Sequence, residues 1–284
     1  MIDTHAHLVT ADTVKYPPAP PSGTLNPGDL DDPMTLERLI AEMDATGVDK
    51  AVLVQRGSIY GFDSSYVCDS AARFPGRLAA VASIDATAPD CADKVRYWVE
   101  ERGAAGIRMM ELIKGMDISW LDSPLARQAW AKAAELDAPV AVHFFPWNRR
   151  EGLTRLAAIL AEVPKLTVVI DHFAAIKSDA GAPDHGVDEL LEQVAAFDGA
   201  TIKFTTIPLG RLEAAGIDFR PVVERVAQLF GPARMMWGSD ITQSAGSYAH
   251  MVALGNAAVE GFDAAAREQI LHGTAARVYG KGWN

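Results

Sequence analysis

Cysteine is scarce: Cys68 and Cys91 are the only two among 284 residues, and no motif joins them. That disfavours a disulfide framework and makes a reduced compartment the default. Long apolar runs are missing too. None reaches the roughly 18 residues that a membrane span needs, and a first strand starting at Ile2 leaves no room for a signal peptide. The expectation is a cytoplasmic protein with no membrane partner. Positive charge is in deficit, with 26 Lys plus Arg against 37 Asp plus Glu and a formal net charge of -11. Nucleic acid is excluded as a general partner, because phosphate binding needs a basic surface. A small anionic substrate is not excluded, since a few arginines can set the field of one cleft. No Gly-x-Gly-x-x-Gly turn follows the first strand, so the main signature of a dinucleotide-binding fold is absent.

What is present is a rhythm. Hydrophobic residues make up 49% of the chain, ample for a large core. Helical stretches at 35–46, 63–74, 89–102, 123–136, 150–162, 187–197 and 219–230 alternate with short apolar runs at 50–55, 78–85, 106–110, 139–143, 166–172, 200–204 and 235–240. Two more helices, 248–259 and 263–271, finish the chain. The apolar runs are rich in Val, Ile and Ala, as parallel strands buried on both faces should be. With the first strand they number eight, and no second core interrupts them. The fold class expected is α/β: one (β/α)8 TIM barrel over 1–284, a single domain with a long loop after strand 1. That loop, 9–33, holds Pro17, Pro18, Pro20, Pro21 and Pro27 and reads as a functional flap. A second flap is expected at 177–186.

The opening Ile2-Asp3-Thr4-His5-Ala6-His7 is the organising stretch. Strand alternation puts Asp3, His5 and His7 on one face. A parallel barrel gathers its strand ends at one mouth, where catalytic residues sit. Those ends carry His5 and His7 on strand 1, His143 on strand 5, His172 on strand 6 and Asp240 on strand 8. Any one of these histidines alone is as easily a satisfied core residue; their coincidence is the signal. Parity pairs Ile170 with His172, and Gly238 with Asp240. His5, His7, His143 and Asp240 make a three-nitrogen, one-oxygen set for one divalent metal, zinc or manganese, with room for a water. Bound water then drops toward a pKa of about 7. Without a metal, Asp240 acts as general base on a water held by the imidazoles. Both readings stay open.

These residues resemble the amidohydrolase superfamily, in its amidohydrolase 2 type of TIM-barrel hydrolases and the branch containing 2-pyrone-4,6-dicarboxylate lactonase and sugar lactonases. The resemblance covers the whole chain. It is carried by the His5-Ala6-His7 strand, the Tyr16-Pro17 loop, Ala51-Val52-Leu53-Val54-Gln55, Gly106-Ile107-Arg108, Val142-His143, Asp171-His172, Trp237-Gly238-Ser239-Asp240 and the terminal Thr274 to Gly280 segment. It implies that His5, His7, His143 and Asp240 activate water, with Asp240 taking the water's proton and returning it to the leaving alkoxide. Strand 4 departs from the wider superfamily pattern by offering no lysine at its inner end, which argues against a carbamylated bridge and a two-metal site. The resemblance implies no fixed metal dependence.

Cations near the same mouth are Arg56, Arg108, Arg149, Arg150 and Lys203. Arginine grips a carboxylate through two parallel hydrogen bonds. Arg108 is the strongest candidate because it lies within an apolar strand; Arg149 and Arg150 read as loop-surface charges. Alternation sets Arg108 and Glu111 on opposite faces unless Glu111 already belongs to the loop. Tyr60, Phe144 and Trp147 are candidate pocket walls. The function expected is hydrolysis of a small carboxylated lactone, as in aromatic or sugar acid catabolism. Asp240, His172 and His143 would be catalytic, with His5, His7, Arg108, Arg56, Lys203 and Tyr60 binding substrate. The alternatives are a metal-dependent, non-oxidative decarboxylase or hydratase of an aromatic or muconate-like acid, and a barrel that only binds a ligand. A homo-oligomer is left open.

Overall fold

In the computed structural model, which describes residues 1–283, the apolar runs become β1 (Ile2–Ala6), β2 (Lys50–Val54), β3 (Leu78–Ser83), β4 (Gly106–Met110), β5 (Val140–His143), β6 (Val168–Ile170), β7 (Ala200–Thr205) and β8 (Met235–Gly238). They form one eight-stranded sheet in chain order, every successive pair parallel. The sheet returns on itself just past β8. Ala6 bridges Ile241 in parallel, His7 N–H donates to the Ile241 carbonyl at 2.8 Å, and Asp240 N–H donates to the His5 carbonyl at 2.7 Å. Closure removes the sheet edges and gives the expected barrel.

The helices are α1 (Leu36–Thr46), α2 (Gly57–Tyr60), α3 (Ser65–Arg73), α4 (Cys91–Arg96), α5 (Pro124–Glu135), α6 (Arg149–Glu162), α7 (Glu189–Ala195), α8 (Thr206–Ala214), α9 (Arg220–Phe230), α10 (Tyr248–Ala258), α11 (Ala264–Glu268) and α12 (Thr274–Tyr279). Several starts are fixed by side-chain caps: Thr35 accepts from Arg38 N–H, Ser123 from Ala126, Asp188 from Leu191 and Asp263 from Ala266. Two stretches read as uninterrupted helices pass into π turns, at Tyr97–Glu101 and Gln269–Gly273. The sequence reading did not contain α2, α8 or α12. One turn of helix carries no periodicity, and Pro208 with Gly210 mask α8.

Alternation divides the apolar residues between two cores. Leu53, Ile107, Val142, Ile170 and Phe204 face outward against the helices. Ile2, Val52, Val54, Ala141, Val169 and Met236 face inward and meet Tyr279 and Trp283, so the chain's last described turn plugs the barrel. β1 breaks this alternation. Asp3 aligns with Ala51 and Ala6 with Leu53, three positions against two, which marks a bulge. The extra residue changes the parity between Asp3 and His5. Asp3 therefore turns away from the mouth, where it accepts from Tyr248 Oη at 3.0 Å and Ser239 Oγ at 2.6 Å. The expectation that Asp3 shares a face with His5 and His7 is corrected here.

Residues 7–35 contain no helix or strand. This loop is fastened along α2 and α3: Ala19 N–H donates to the Ile59 carbonyl at 2.8 Å, and Tyr16 Oη donates to Asp69 at 2.8 Å. Among the described residues no helix is long and apolar enough to cross a membrane.

Candidate active site

The C-terminal ends of the strands surround a cavity of about 360 Å³ whose wall includes His7, Arg56, Arg108, His143, His172 and Asp240. Alternation supplies three of them: Arg108 and His143 alternate with outward Ile107 and Val142, and inward Met236 carries Gly238 and Asp240; inward Val169 likewise carries Asp171, which lies behind the wall. Gly238 has a steric reason. A Cβ there would lie 2.5 Å from the His5 Cβ, so a bare backbone is what lets β8 close on β1 at the height of the site.

Asp240 Oδ1 stands 3.4 Å from Nε2 of both His5 and His7, with all three side chains buried. His7 Nδ1 lies 2.7 Å from the Val54 carbonyl oxygen. A carbonyl only accepts, so Nδ1 carries the proton and Nε2 of the neutral ring turns a lone pair toward the Asp240 carboxylate. Burial lowers the His7 pKa and holds that of His5 well below the ordinary imidazole value, so both rings are neutral. His5 Nε2 is buried and has no hydrogen-bond partner among the described residues. A carboxylate oxygen and ring nitrogens converging without a strong donor are an arrangement that a cation completes. Each of the three residues offers an atom within 4.8 Å of the others. The set therefore fits one divalent ion, with coordination positions left for water.

Behind His5 lies Asp171, fully buried. Arg108 donates to its Oδ2 from Nε at 3.0 Å, with Nη2 in an ion pair 2.9 Å from the same oxygen, and Lys203 Nζ stands 3.1 Å from Oδ1. Burial pushes this carboxyl up, but Lys203, His5 and Arg108 together hold it well below the usual carboxylate range. Burial pulls Lys203 down, against the opposing pull of Asp171. His5, Asp171 and His172 form a second cluster of donor atoms. Arg108 and Lys203 already supply two positive charges there, so a divalent ion would meet strong repulsion.

The same arginine fixes a tautomer. Arg108 Nη2 lies 3.2 Å from His143 Nδ1; a guanidinium only donates, so Nδ1 accepts. Burial and Arg108 push the His143 pKa down to about 3. The neutral ring thus carries its proton on Nε2 and is a hydrogen-bond donor on the cavity wall. His172 bonds Thr205 Oγ1 through Nδ1 at 2.7 Å. It reaches the wall by a left-handed run, with φ of 53° at His172 continuing through Ala175 at 52°.

The amidohydrolase family model matches residues 2–281. The chain belongs to that family. The L-fucono-1,5-lactonase of Burkholderia ambifaria is 29% identical over 216 residues, covering 73% of this chain and 69% of the relative. A probable 2-pyrone-4,6-dicarboxylic acid hydrolase from Acinetobacter baumannii, solved with citric acid bound, superposes with a TM-score of 0.77 at 20% identity, covering 98% of both chains. An amidohydrolase from Burkholderia multivorans, solved with bound zinc, gives a TM-score of 0.77 at 22% identity and the same coverage.

In this amidohydrolase several sequence expectations are corrected. His143 does not join His5, His7 and Asp240 in the cluster whose atoms could hold a metal ion; its Nδ1 is held by Arg108. Lys203, expected to bind substrate, is fully buried behind His5 and does not line the cavity. Tyr60 is also buried off the cavity, its hydroxyl accepting from Thr10 N–H at 3.0 Å while its ring packs with Val9 and Ile59. Trp147 is 52% exposed, stacked on Phe145 at 4.6 Å, and it is Phe144 and Phe145 that line the cavity. The parity argument for His172 fails, because Ile170 faces the helices. Glu111 lies beyond β4, on the cavity wall, and accepts from Trp147 Nε1 at 3.1 Å and Asn148 Nδ2 at 2.5 Å. Arg149 is committed elsewhere, donating to both Asp188 oxygens at 2.6 and 2.9 Å.

Sequence reasoning named Asp171 and Glu111 without giving either a role, and it overlooked Arg211 and Gln243, which share the cavity wall with Glu111. For Asp171 a signal existed: counting alternate residues from Val169 reaches it directly. The others lie outside strands, where parity has no hold.

Proposed function

We propose that this amidohydrolase opens small lactones that carry a carboxylate. The observation that carries the reading is a buried carboxylate, Asp240, beside neutral imidazoles, in a cavity whose wall also bears Arg56. Arg56 is 9% exposed, and its nearest acid, Asp29 in the long loop, is 3.7 Å away. A carboxylate would therefore find a partly desolvated guanidinium without a tight ion pair to break. The named relatives, a fuconolactonase and a probable pyrone dicarboxylate hydrolase, support the same bond type.

The chemistry follows from the side chains. Asp240 takes a proton from a water held against His7. The water oxygen forms a bond to the ring carbonyl carbon, and His143 Nε2–H donates to the developing oxyanion. The ring C–O bond then breaks, and Asp240 returns its proton to the leaving alkoxide. A divalent ion, when bound, would be held by His5, His7 and Asp240 and would supply Lewis acidity to the water. The product is a hydroxy acid, whose new carboxyl group releases one proton at neutral pH.

Proton balance tests this. With a pH indicator in weak buffer and a panel of lactone carboxylates and aromatic acids, with and without chelator, net acid release on a lactone is expected. Proton uptake on an aromatic acid, after correction for hydration of carbon dioxide, would mean decarboxylation and overturn the reading.

A further inference from the structure

The cavity wall changes character around the barrel. The strands close in chain order, so β8, β1 and β2 adjoin. Past their ends stand His7, Arg56, Ser58, Asp240 and Gln243, all polar. Arg56 stays within this arc, donating from Nη1 to Thr242 Oγ1 beyond β8. The strands β4 to β7 supply the other arc. Met110 and Leu112 come from the end of β4, Phe145 from that of β5, Ile176 from beyond β6, and Ile207 with Pro208 from the start of α8. Polar groups on this side are largely committed to the protein. Arg108 is paired with Asp171, His172 bonds Thr205, and Glu111 accepts from Trp147, Asn148 and the Gly115 N–H. Arg211 is exposed and Ser178 half-buried. The hydrocarbon is also firmly held: Phe145 stacks on His143 at 4.4 Å and on Trp147 at 4.6 Å.

We infer that the arc from β4 to β7 is a subsite for a hydrocarbon group, so that the natural substrate is an amphiphilic lactone, with a carboxylate on one side and an alkyl or aryl substituent on the other. In a ring of eight strands, β6 lies across from β2. A carboxylate that meets Arg56 therefore turns the far end of its ring toward Ile176, with Phe145 and Ile207 on either side. A hydroxyl buried there would lose its water and gain no partner, whereas a hydrocarbon gains by leaving water. The cavity, about 360 Å³, falls in the range of roughly 300–1,000 Å³ that encloses drug-sized ligands, so a bare lactone ring leaves space that a substituent fills.

The inference rests on the lactone reading for its choice of ring, and its test keeps the two apart. Binding is measured by calorimetry with cyclohexane carboxylates, which have no ester bond to hydrolyse. They bear hydrogen, methyl, propyl, dihydroxypropyl or carboxymethyl on the ring carbon opposite the carboxylate. Affinity should rise about fourfold for each carbon from hydrogen to propyl, and the dihydroxypropyl compound should bind about tenfold more weakly than the propyl. A flat series, or no binding by any member, would overturn the inference. Tightest binding of the carboxymethyl compound would make the arc a second anion site at Arg211 and overturn it equally. Ile207→Asn, shown to be folded by circular dichroism, should cut the propyl-to-hydrogen affinity ratio about tenfold; an unchanged ratio would contradict the placement. If that variant does not fold, Ile207→Thr makes the same comparison, and the wild-type series stands by itself. Turnover of the matching carboxylated lactones then separates the two readings. A binding gradient without turnover keeps the hydrocarbon subsite and sinks the lactonase reading, and turnover without a gradient does the reverse.

Discussion

Asp240, Arg56 and Arg108, all on the cavity wall, divide the labour at the scale of single residues. Asp240→Asn keeps the shape of the side chain and removes the base, so turnover should fall about a hundredfold to ten-thousandfold while the melting temperature stays close to wild type. Near-normal rates in a folded variant would remove Asp240 from the chemistry. Arg56 and Arg108 differ in what holds them. Arg56 has only a distant carboxylate partner, so Arg56→Met should cost about 1.5–3 kcal/mol of substrate binding, read as roughly a tenfold to hundredfold rise in KM for carboxylated lactones. Neutral analogues should be little affected. Arg108 instead closes a buried pair with Asp171. Arg108→Met leaves that carboxylate with Lys203 alone and should destabilise the fold by about 3 kcal/mol in denaturant titrations. A purely kinetic effect would show that Arg108 serves substrate and not the barrel.

Two strand ends, β1 and β8, meet at the site, and their junction tolerates no extra atom. Gly238→Ala would drive a methyl carbon to 2.5 Å from the His5 Cβ and 2.8 Å from its backbone nitrogen. Backbone cannot yield as a flexible side chain does, so a loss of roughly 1–3 kcal/mol is expected, with lower kcat as Asp240 shifts from His5. An unaltered Gly238→Ala enzyme would mean that the two strands are less tightly joined than the hydrogen bonds across Asp240 and His5 indicate. At this scale much was legible in the sequence. The βα rhythm yields eight strands; in these regular strands Arg108, His143 and Lys203 alternate inward, opposite Ile107, Val142 and Ile202, although the sequence alone leaves Arg108 open against Glu111. Legibility fails where regularity does. The bulge in β1 reverses Asp3, and the left-handed turn after β6 aims His172 without help from parity. Tyr60 is drawn under the long loop by packing with residues far away in sequence. No local pattern distinguishes that burial from a place on the cavity wall. Lys203 shows a further limit: facing inward is not the same as reaching the cavity, because depth along the barrel axis depends on the neighbouring strands.

For the molecule as a whole, enclosing four imidazoles in one barrel mouth has a cost that pH reveals. His5, His7, His143 and His172 all have pKa values lowered by burial from the ordinary 6.5, that of His143 to about 3. Unfolded chains bind protons at these histidines below pH 6.5 while the native protein does not, so acid favours unfolding. Their stabilising contribution is present above the unfolded value and is lost as pH falls toward the native values, at roughly 1.4 kcal/mol per pH unit for each histidine titrating only in the unfolded chain. Asp171, also lowered, adds to the loss below its ordinary value of 3.8. The melting temperature should therefore drop steeply as the solution is acidified from pH 6.5. A flat profile would mean that the rings charge in place. Cys68 gives a matching probe at the alkaline end. Burial pushes its thiol up to about 12, so alkylating reagents should label it only as fast as the barrel opens.

The central claim is that water, activated at Asp240, is added across a lactone ester bond. Its most direct test is turnover of a carboxylated lactone in water enriched in heavy oxygen, followed by mass spectrometry of the product, for the wild-type enzyme and Asp240→Asn. A ring-opened hydroxy acid carrying one solvent oxygen in its new carboxyl group, formed by the wild type and almost abolished in the variant, is the predicted result. A product that has lost carbon dioxide, or solvent oxygen incorporated equally fast by the variant, would contradict the account.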